Sequence, residues 1–547
     1  MAKKHLYFFV LTFYCVGNLH AQNDSVFNAF KNKVQSQMEN FRSENKKKFD
    51  GFRSRIDSIY FTYLKNSWAS FEALLPVQGL KKPKPQSVPT ADNIPKDKPP
   101  RITTIPISKN PELPPPSEVT PPATAPLPTP VNLPPRVVEP PVATPPPATK
   151  PLSKNPTIDE KPASTLPSYN KPSPSGGPAK QSLLLQFYGI RFDIPTVDIK
   201  TLPRLTGEID QIQIANFWKS ASEADLQRLI QSVNIIPAEI GGGFYAMQRA
   251  LLTAILKLYS NDADSTHKLN NATLLCWYLL LQNGYDVKIG FRKSKVLLLI
   301  NMKPEVYGIS YYRLGEKLYY LLPEETEAGM LQICSLNYPG EVKSCSFDVS
   351  PALSQPADSN KIQFRKFSFQ FQNKPQQIEL AYFPSHIQYY EQYPQMGFGN
   401  YRQSEEVALF NREVKKAFSE KMKFLSETEK VQYLLSFAQS FPYKTDQQQF
   451  GKEKWMFPQE AIYYPYLDCD DRSILFSYLV TLLTDLPVIG LLYPDHICTA
   501  VAFNSTVVGT SLMWKGKKYT VCDPTYINSS IGMSMPQYDG VAAKIVE

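Results

Sequence analysis

Cysteine and histidine are both scarce in this chain. Seven cysteines and five histidines are spread over 547 residues. So few cysteines cannot hold up a disulfide scaffold of this length. No CxxC pair occurs, and the Cys/His spacings match no common zinc module. Long apolar runs are missing too: the best candidate, Leu6–Val16, is too short to cross a bilayer. The formal charge is +9, but lysine-rich stretches near the N-terminus carry much of it. With no nucleic-acid-binding signature alongside, charge makes no case for a nucleic-acid partner.

Proline, by contrast, is abundant and unevenly placed. Of 49 prolines, about thirty fall between Pro76 and Pro178, which removes that stretch from any globular core. The order along the chain follows. Residues 1–21 read as a secretory signal: Lys3 and Lys4 lead an apolar run that ends in Leu19-His20-Ala21. Cleavage after Ala21 would place the mature chain outside the cytoplasm, secreted or periplasmic. Residues 22–75 carry a helical stripe through Val34, Met38, Phe41, Phe49, Phe52, Ile56, Ile59 and Tyr63. This predicts a helical or coiled-coil-like segment serving as a spacer or in self-association, with a membrane-surface helix as the alternative because Lys46-Lys47-Lys48 is basic. Residues 76–180 are a Pro-rich linker, expected to be disordered and semi-stiff.

From Gln181 the pattern turns globular and mixes helices with strands, as an α+β fold does. Helices are predicted at 221–232, 245–259, 272–282, 405–423, 428–440 and 470–484. Cys334 and Cys345 flank the turn-like Asn337-Tyr338-Pro339-Gly340 and are placed for a hairpin-closing disulfide. A shift of 200 residues aligns Leu274–Leu280 with Ile474–Val480 and Ile289-Gly290 with Ile489-Gly490. The shared order is helix, strand, strand, glycine turn, strand. It predicts two copies of one module, 181–360 and 361–547.

Only the later copy carries reactive groups. Asp468-Cys469-Asp470-Asp471 stands at the head of an apolar helix, with Asp468 as predicted N-cap and Asp471 completing a capping box. A thiol in the first turn is favoured as thiolate by the helix dipole. His496 opens the following strand and can serve as its base, and Asp523, after the next strand, can orient the imidazole. In the early copy the matching positions fall near Leu269, Val296 and Leu322, none of which can do this chemistry. Cys498 and Cys522 read as packing residues on neighbouring strands or a cross-strand pair; zinc ligation by Cys469, His496, Cys498 and Cys522 is a weaker alternative.

A cysteine at a helix start, a histidine on the next strand and Asp523-Pro524-Thr525 after the one following resemble the transglutaminase-like branch of the papain-like cysteine enzymes. The similarity is strongest over 425–535 and includes Lys454-Trp455-Met456-Phe457-Pro458. The overall layout resembles secreted multidomain proteins of the Bacteroidetes type. The resemblance implies a papain-like/transglutaminase-like C-terminal domain, a core helix packed on an antiparallel sheet, preceded by a degenerate copy. It implies Cys469 as nucleophile, His496 as general base and acid, and Asp523 as orienting carboxylate. Many family members place a small residue before the cysteine, where this chain has Asp468. The Cys469 N–H is the natural first oxyanion donor; Gln439, Trp455, Gln459 and Tyr463 are candidates for the second.

Such a triad performs acyl transfer through a thioester on proteins, peptides or cell-wall peptides. Hydrolysis is favoured over crosslinking, because excluding water takes a dedicated channel. No metal or organic cofactor is required. The competing readings are a non-catalytic envelope scaffold that binds proteins and a zinc-stabilised binding module.

Overall fold

The computed structural model describes residues 24–74, 103–107 and 182–547, apart from 263, 304–305, 323–328, 340–342, 344, 347–352 and 355–361. The expected signal segment 1–21 and most of the Pro-rich linker lie outside the described residues. The helical stripe forms one continuous helix, α1 (Asp24–Asn66). Its last turns are not a free-standing spacer. Tyr60 and Leu64 are buried, and the Tyr60 ring packs edge-on to Trp218 and Tyr338. Asp57 accepts from Gln282 Nε2 (2.9 Å) and Tyr338 Oη (3.0 Å), and its carbonyl accepts from Trp218 Nε1. Strand β1 (Trp68–Glu72) follows and joins the first sheet.

A hairpin, β2 (Ser182–Phe187) and β3 (Ile190–Pro195), opens the globular part. Four helices follow: α2 (Gln211–Glu223), α3 (Gln227–Ile240), α4 (Gly243–Leu258) and α5 (Ser265–Gln282). The helix predicted over 221–232 is instead interrupted: α2 ends at Glu223 and α3 starts at Gln227. Helix α5 then packs on a sheet of β4 (Val287–Arg292), β5 (Lys295–Lys303), β6 (Tyr311–Leu314), β7 (Lys317–Leu322) and β8 (Met330–Cys334). Its order is β1-β8-β4-β5-β7-β6, with the short β9 (Cys345–Ser346) parallel to β5.

The predicted Cys334–Cys345 disulfide is not formed; both are buried free thiols. Their strands do not make a hairpin. Cys334 pairs with Trp68 on β1, and Cys345 lies beside Met302 on β5.

The second half opens with the hairpin β10 (Gln363–Phe371) and β11 (Lys374–Tyr382) and continues through α6 (Pro384–Glu391), α7 (Phe398–Arg402), α8 (Ala408–Met422), α9 (Glu427–Gln439), α10 (Asp446–Phe450) and α11 (Pro458–Tyr463). Helix α12 (Cys469–Thr484) then packs on β12 (Val488–Leu492) and β13 (Ile497–Val501), joined by β14 (Ser511–Trp514), β15 (Lys517–Cys522) and β16 (Lys544–Val546). This sheet is antiparallel, in the order β16-β12-β13-β15-β14.

The two sheets share one strand order. Helix, two paired strands, a crossing to the fourth and return to the third recur, with a late strand beside the first. Register agrees: Val287 faces Ile300 and Val488 faces Val501. That register sets Lys295, not Val296, at the place of His496. Gly290 and Gly490, aligned by the 200-residue shift, fall one residue apart in this register, and each allows its own close approach. A Cβ on Gly290 would lie 2.9 Å from Leu331, and one on Gly490 2.4 Å from Phe398.

The main core does not stop between the halves. One buried cluster runs from Tyr60, Trp218 and Trp277 to Tyr389, Tyr401, Trp455 and Cys469. A second fills the space between the β10–β11 hairpin, α8, α9 and α12. Among the described residues no helix is long and apolar enough to cross a membrane.

Candidate active site around Cys469, His496 and Asp523

Helix α12 starts at Cys469, so its thiol stands in the first turn, where backbone N–H groups lack intrahelical acceptors. The predicted cap chemistry is not what holds this start. Asp468 takes the N-cap backbone conformation without a side-chain capping bond. Asp471 Oδ1 instead accepts the N–H of Met456 (3.0 Å), and Asp446 Oδ2 accepts that of Lys454 (2.9 Å). Asp471 thus ties Met456 to the helix head, and Asp446 ties Lys454 to α10.

Strand β13, which follows His496, lies beside that first turn. Ser473 Oγ donates to the Cys469 carbonyl (2.7 Å) and also approaches that of Ile497 (3.3 Å). One hydroxyl thus ties Ile497, the residue after His496, to the Cys469 backbone. In the first unit Asn270 makes the corresponding tie, donating to Ser294 O and accepting from Val296 N.

His496 and Asp523 meet as their positions on neighbouring strands require. Strand β13 pairs with β15, Thr499 opposite Cys522. His496 Nε2 lies 2.8 Å from Asp523 Oδ2, with both side chains buried. Among the described residues Nδ1 of this ring has no hydrogen-bond partner. With the proton on Nε2, donated to the carboxylate, Nδ1 presents a lone pair. The ring is further fixed by Tyr538, stacked at 5.3 Å and 12°; Tyr493 stacks on Tyr538 in turn at 4.6 Å.

The carboxylate is itself held. Asp523 Oδ1 accepts from the N–H groups of Thr525 (2.9 Å) and Tyr526 (3.1 Å). Gln439 Nε2 reaches the carbonyls of Asp523 (3.1 Å), Tyr526 (2.9 Å) and Ser529 (3.2 Å). Its amide is therefore spent on the loop after Asp523 and is no oxyanion donor. Gln459 is committed elsewhere, to Glu406 Oε2 (2.6 Å), His386 and Tyr390. Tyr463 is partly exposed and packs against Tyr382 and Tyr464. The Trp455 ring packs against Phe398 and Tyr401. None of the four side chains is thus placed as a second oxyanion donor, while His496 and Asp523 are in direct contact and Ser473 links Ile497 to the Cys469 backbone.

A residue not singled out from the sequence completes the site. Arg472 is buried at 1% exposure. Its guanidinium donates to the carbonyls of Phe441 and Pro524. Burial lowers its pKa to about 10, opposed by the charges of Tyr443, Cys469, Asp468 and Asp523. It remains a cation at neutral pH and favours negative charge on the Cys469 sulfur and the Asp523 carboxylate. An arginine in an Asp-Asp-Arg-Ser run that begins an apolar helix was the available signal.

Among the described residues three sets of side chains have ligand atoms close enough to share a cation: His496 with Cys498 and Asp523, Asp468 with Cys469 and Asp470, and Asp446 with Asp468 and Asp471. Burial drives the Cys498 and Cys522 thiols well up, which opposes the thiolate a zinc site needs. Cys469, His496 and Asp523 are all buried. Comparison with known protein families, with curated proteins and with solved structures returns no match for this chain.

Proposed function

We propose that this protein is a cysteine-dependent acyl-transfer enzyme of transglutaminase-like, papain-like type, acting on peptide or amide substrates outside the cytoplasm, with hydrolysis as its outcome. One observation carries the reading: among the described residues the His496–Asp523 pair leaves Nδ1 without a partner, just before a strand tied to the first turn of the Cys469 helix. A buried imidazole with one nitrogen oriented by a carboxylate and the other open is what a thiol base requires.

The steps follow. His496 takes the Cys469 proton and the thiolate attacks the substrate carbonyl carbon. The tetrahedral oxyanion takes a hydrogen bond from the Cys469 N–H. On collapse the C–N bond breaks, the imidazolium gives its proton to the departing amine, and a thioester remains. Water, deprotonated by His496, then releases the acid and restores the thiol. Arg472 supports the anionic states. The unit over 182–334, with the same strand order and no triad, fits a degenerate copy retained for binding.

The test is alkylation of Cys469 by iodoacetamide across pH, read by peptide mass spectrometry in wild type and His496→Ala. We expect labelling well below the free-thiol pKa of about 8.5, lost in the mutant. Labelling that ignores His496 would overturn the reading. A second reading, a non-catalytic scaffold, is favoured by the burial of Cys469 at 2% and His496 at 0% exposure. It expects no labelling until the chain unfolds.

A further inference from the structure

Residues 103–107 lie within the proline-rich stretch yet are hydrogen-bonded into the second sheet. On one side the Ile105 N–H donates to Ser511 O (3.0 Å) and the Ser511 N–H to Thr103 O (2.9 Å), on the edge strand β14. On the other, the Ala543 N–H donates to Pro106 O (3.0 Å), just ahead of β16. Pro106 has no N–H to give, and this ladder uses only its carbonyl. Ile105 is 6% exposed and joins the buried cluster containing Tyr493, Leu512, Val521 and Tyr538.

The first unit shows what this segment is. There β1 pairs with β8, and the Leu74 N–H donates to Tyr311 O (2.9 Å) on β6. Tyr311 and Ser511 are corresponding positions, opposite Tyr320 and Thr520. Each sheet therefore has its outer strands bridged by a segment from the N-terminal part of the chain, as exposed edges require. In the second unit the bridge lies against the residues that hold the base. The segment pinned at Ala543 is the one that carries Tyr538, whose ring stacks on His496 and whose hydroxyl donates to Asp495 Oδ1 (2.9 Å).

We propose that Thr103–Ile107 is a positioning strap for His496: by pinning Ser511 and Ala543 it holds Tyr538 against the imidazole, so the reactivity of Cys469 depends on a linker strand docked in cis. Its catalytic consequence rests on the acyl-transfer reading; its effect on His496 does not. Strand addition of this kind draws affinity from the main chain and specificity from the side chain it buries, here Ile105. Tethering supplies an effective concentration in the millimolar range, so a short strand stays docked while both flanks are intact.

The experiment uses the full chain with Ile105→Asp and Ile105→Val. Three quantities are read: hydrogen exchange at the Ser511 and Ala543 amides, the titration midpoint of the His496 imidazole by NMR, and the pH profile of Cys469 alkylation. In Ile105→Asp we expect about tenfold or more loss of protection at both amides. The His496 midpoint should move, and alkylation should slow by about tenfold with an altered pH profile. Ile105→Val should match wild type, and a peptide spanning residues 101–108 at about 1 mM should restore Ile105→Asp. If the aspartate variant does not fold, specific protease sites on both flanks of the strap, cut after folding, give the same comparison. Amides that stay protected in Ile105→Asp, or exposed amides with an unchanged His496 midpoint, would overturn the strap. A strap-dependent His496 midpoint in a protein whose Cys469 is unreactive would overturn the acyl-transfer reading and leave the strap standing.

Discussion

At the scale of single residues, the site depends on groups whose partners are distant in the chain. Arg472 is the clearest case. Beside Asp470, Asp471 and Ser473 it reads as part of a solvated first turn. The structure buries all four, because the loops at 441–443, 454–457 and 523–526 close over the helix head. Replacing Arg472 by Met removes a buried cation that interacts with Cys469 and leaves the Phe441 and Pro524 carbonyls without this donor. Losing a nearby positive charge raises a thiol pKa, so the midpoint of Cys469 labelling should move to higher pH. Orphaned buried acceptors should also cost about 1–3 kcal/mol, which denaturant unfolding would read.

Elements meet around a second buried polar cluster that the proposed chemistry does not use. Gln459 on α11 accepts the Phe383 N–H and reaches Glu406, His386 on α6 and Tyr390. Burial raises Glu406 from 4.5 to about 7 and lowers His386 from 6.5 to about 4. The signs oppose. Between pH 4.5 and 7 the folded state holds more protons at Glu406 than the unfolded chain does, so stability falls as pH rises. Between pH 4 and 6.5 the unfolded chain holds more at His386, so stability climbs with pH. In wild type the two slopes offset each other over most of this window. Glu406→Gln should leave a stability that climbs from pH 4 to 6.5, and His386→Gln one that falls from pH 4.5 to 7. Unfolding free energies across pH would check both; two variants with the same slope would refute the assignment.

Across the whole molecule, the long N-terminal helix and the globular part share a core. Tyr60 sits among Trp218, Trp277 and Tyr338, and Asp57 below it is satisfied by Gln282 and Tyr338. Tyr60→Ala should therefore cost about 3–5 kcal/mol, the range for emptying a buried aromatic site. A simple spacer would show almost no loss. Thermal and denaturant unfolding of the full chain distinguishes the two.

How much of this was legible follows from where each signal lies. The helix of residues 24–66, the head of α12, the strands after it and the twofold recurrence of helix and strands are local patterns, written in periodicity and in the matching of Leu274–Leu280 with Ile474–Val480. Cys469, His496 and Asp523 could be named because each sits at an element boundary that local pattern marks. The contact of His496 with Asp523 needed strand pairing, and β13 beside β15 supplied it. Other features were set by contacts between segments with no local trace. Cys334 and Cys345 flank a turn, but their strands pair with β1 and β5, so no disulfide closes. Gln439 and Gln459 are plain helix residues until the 523–529 loop and the Glu406 cluster claim their amides. Residues 103–107 read as tether because proline composition is local, whereas the open edge they fill is created only when β14 and β16 have folded. The sequence alone determined most element types and the candidate reactive groups, since these depend on neighbours along the chain. Tertiary structure decided burial, partner choice and which edges are covered, since these depend on surfaces that exist only after the elements pack.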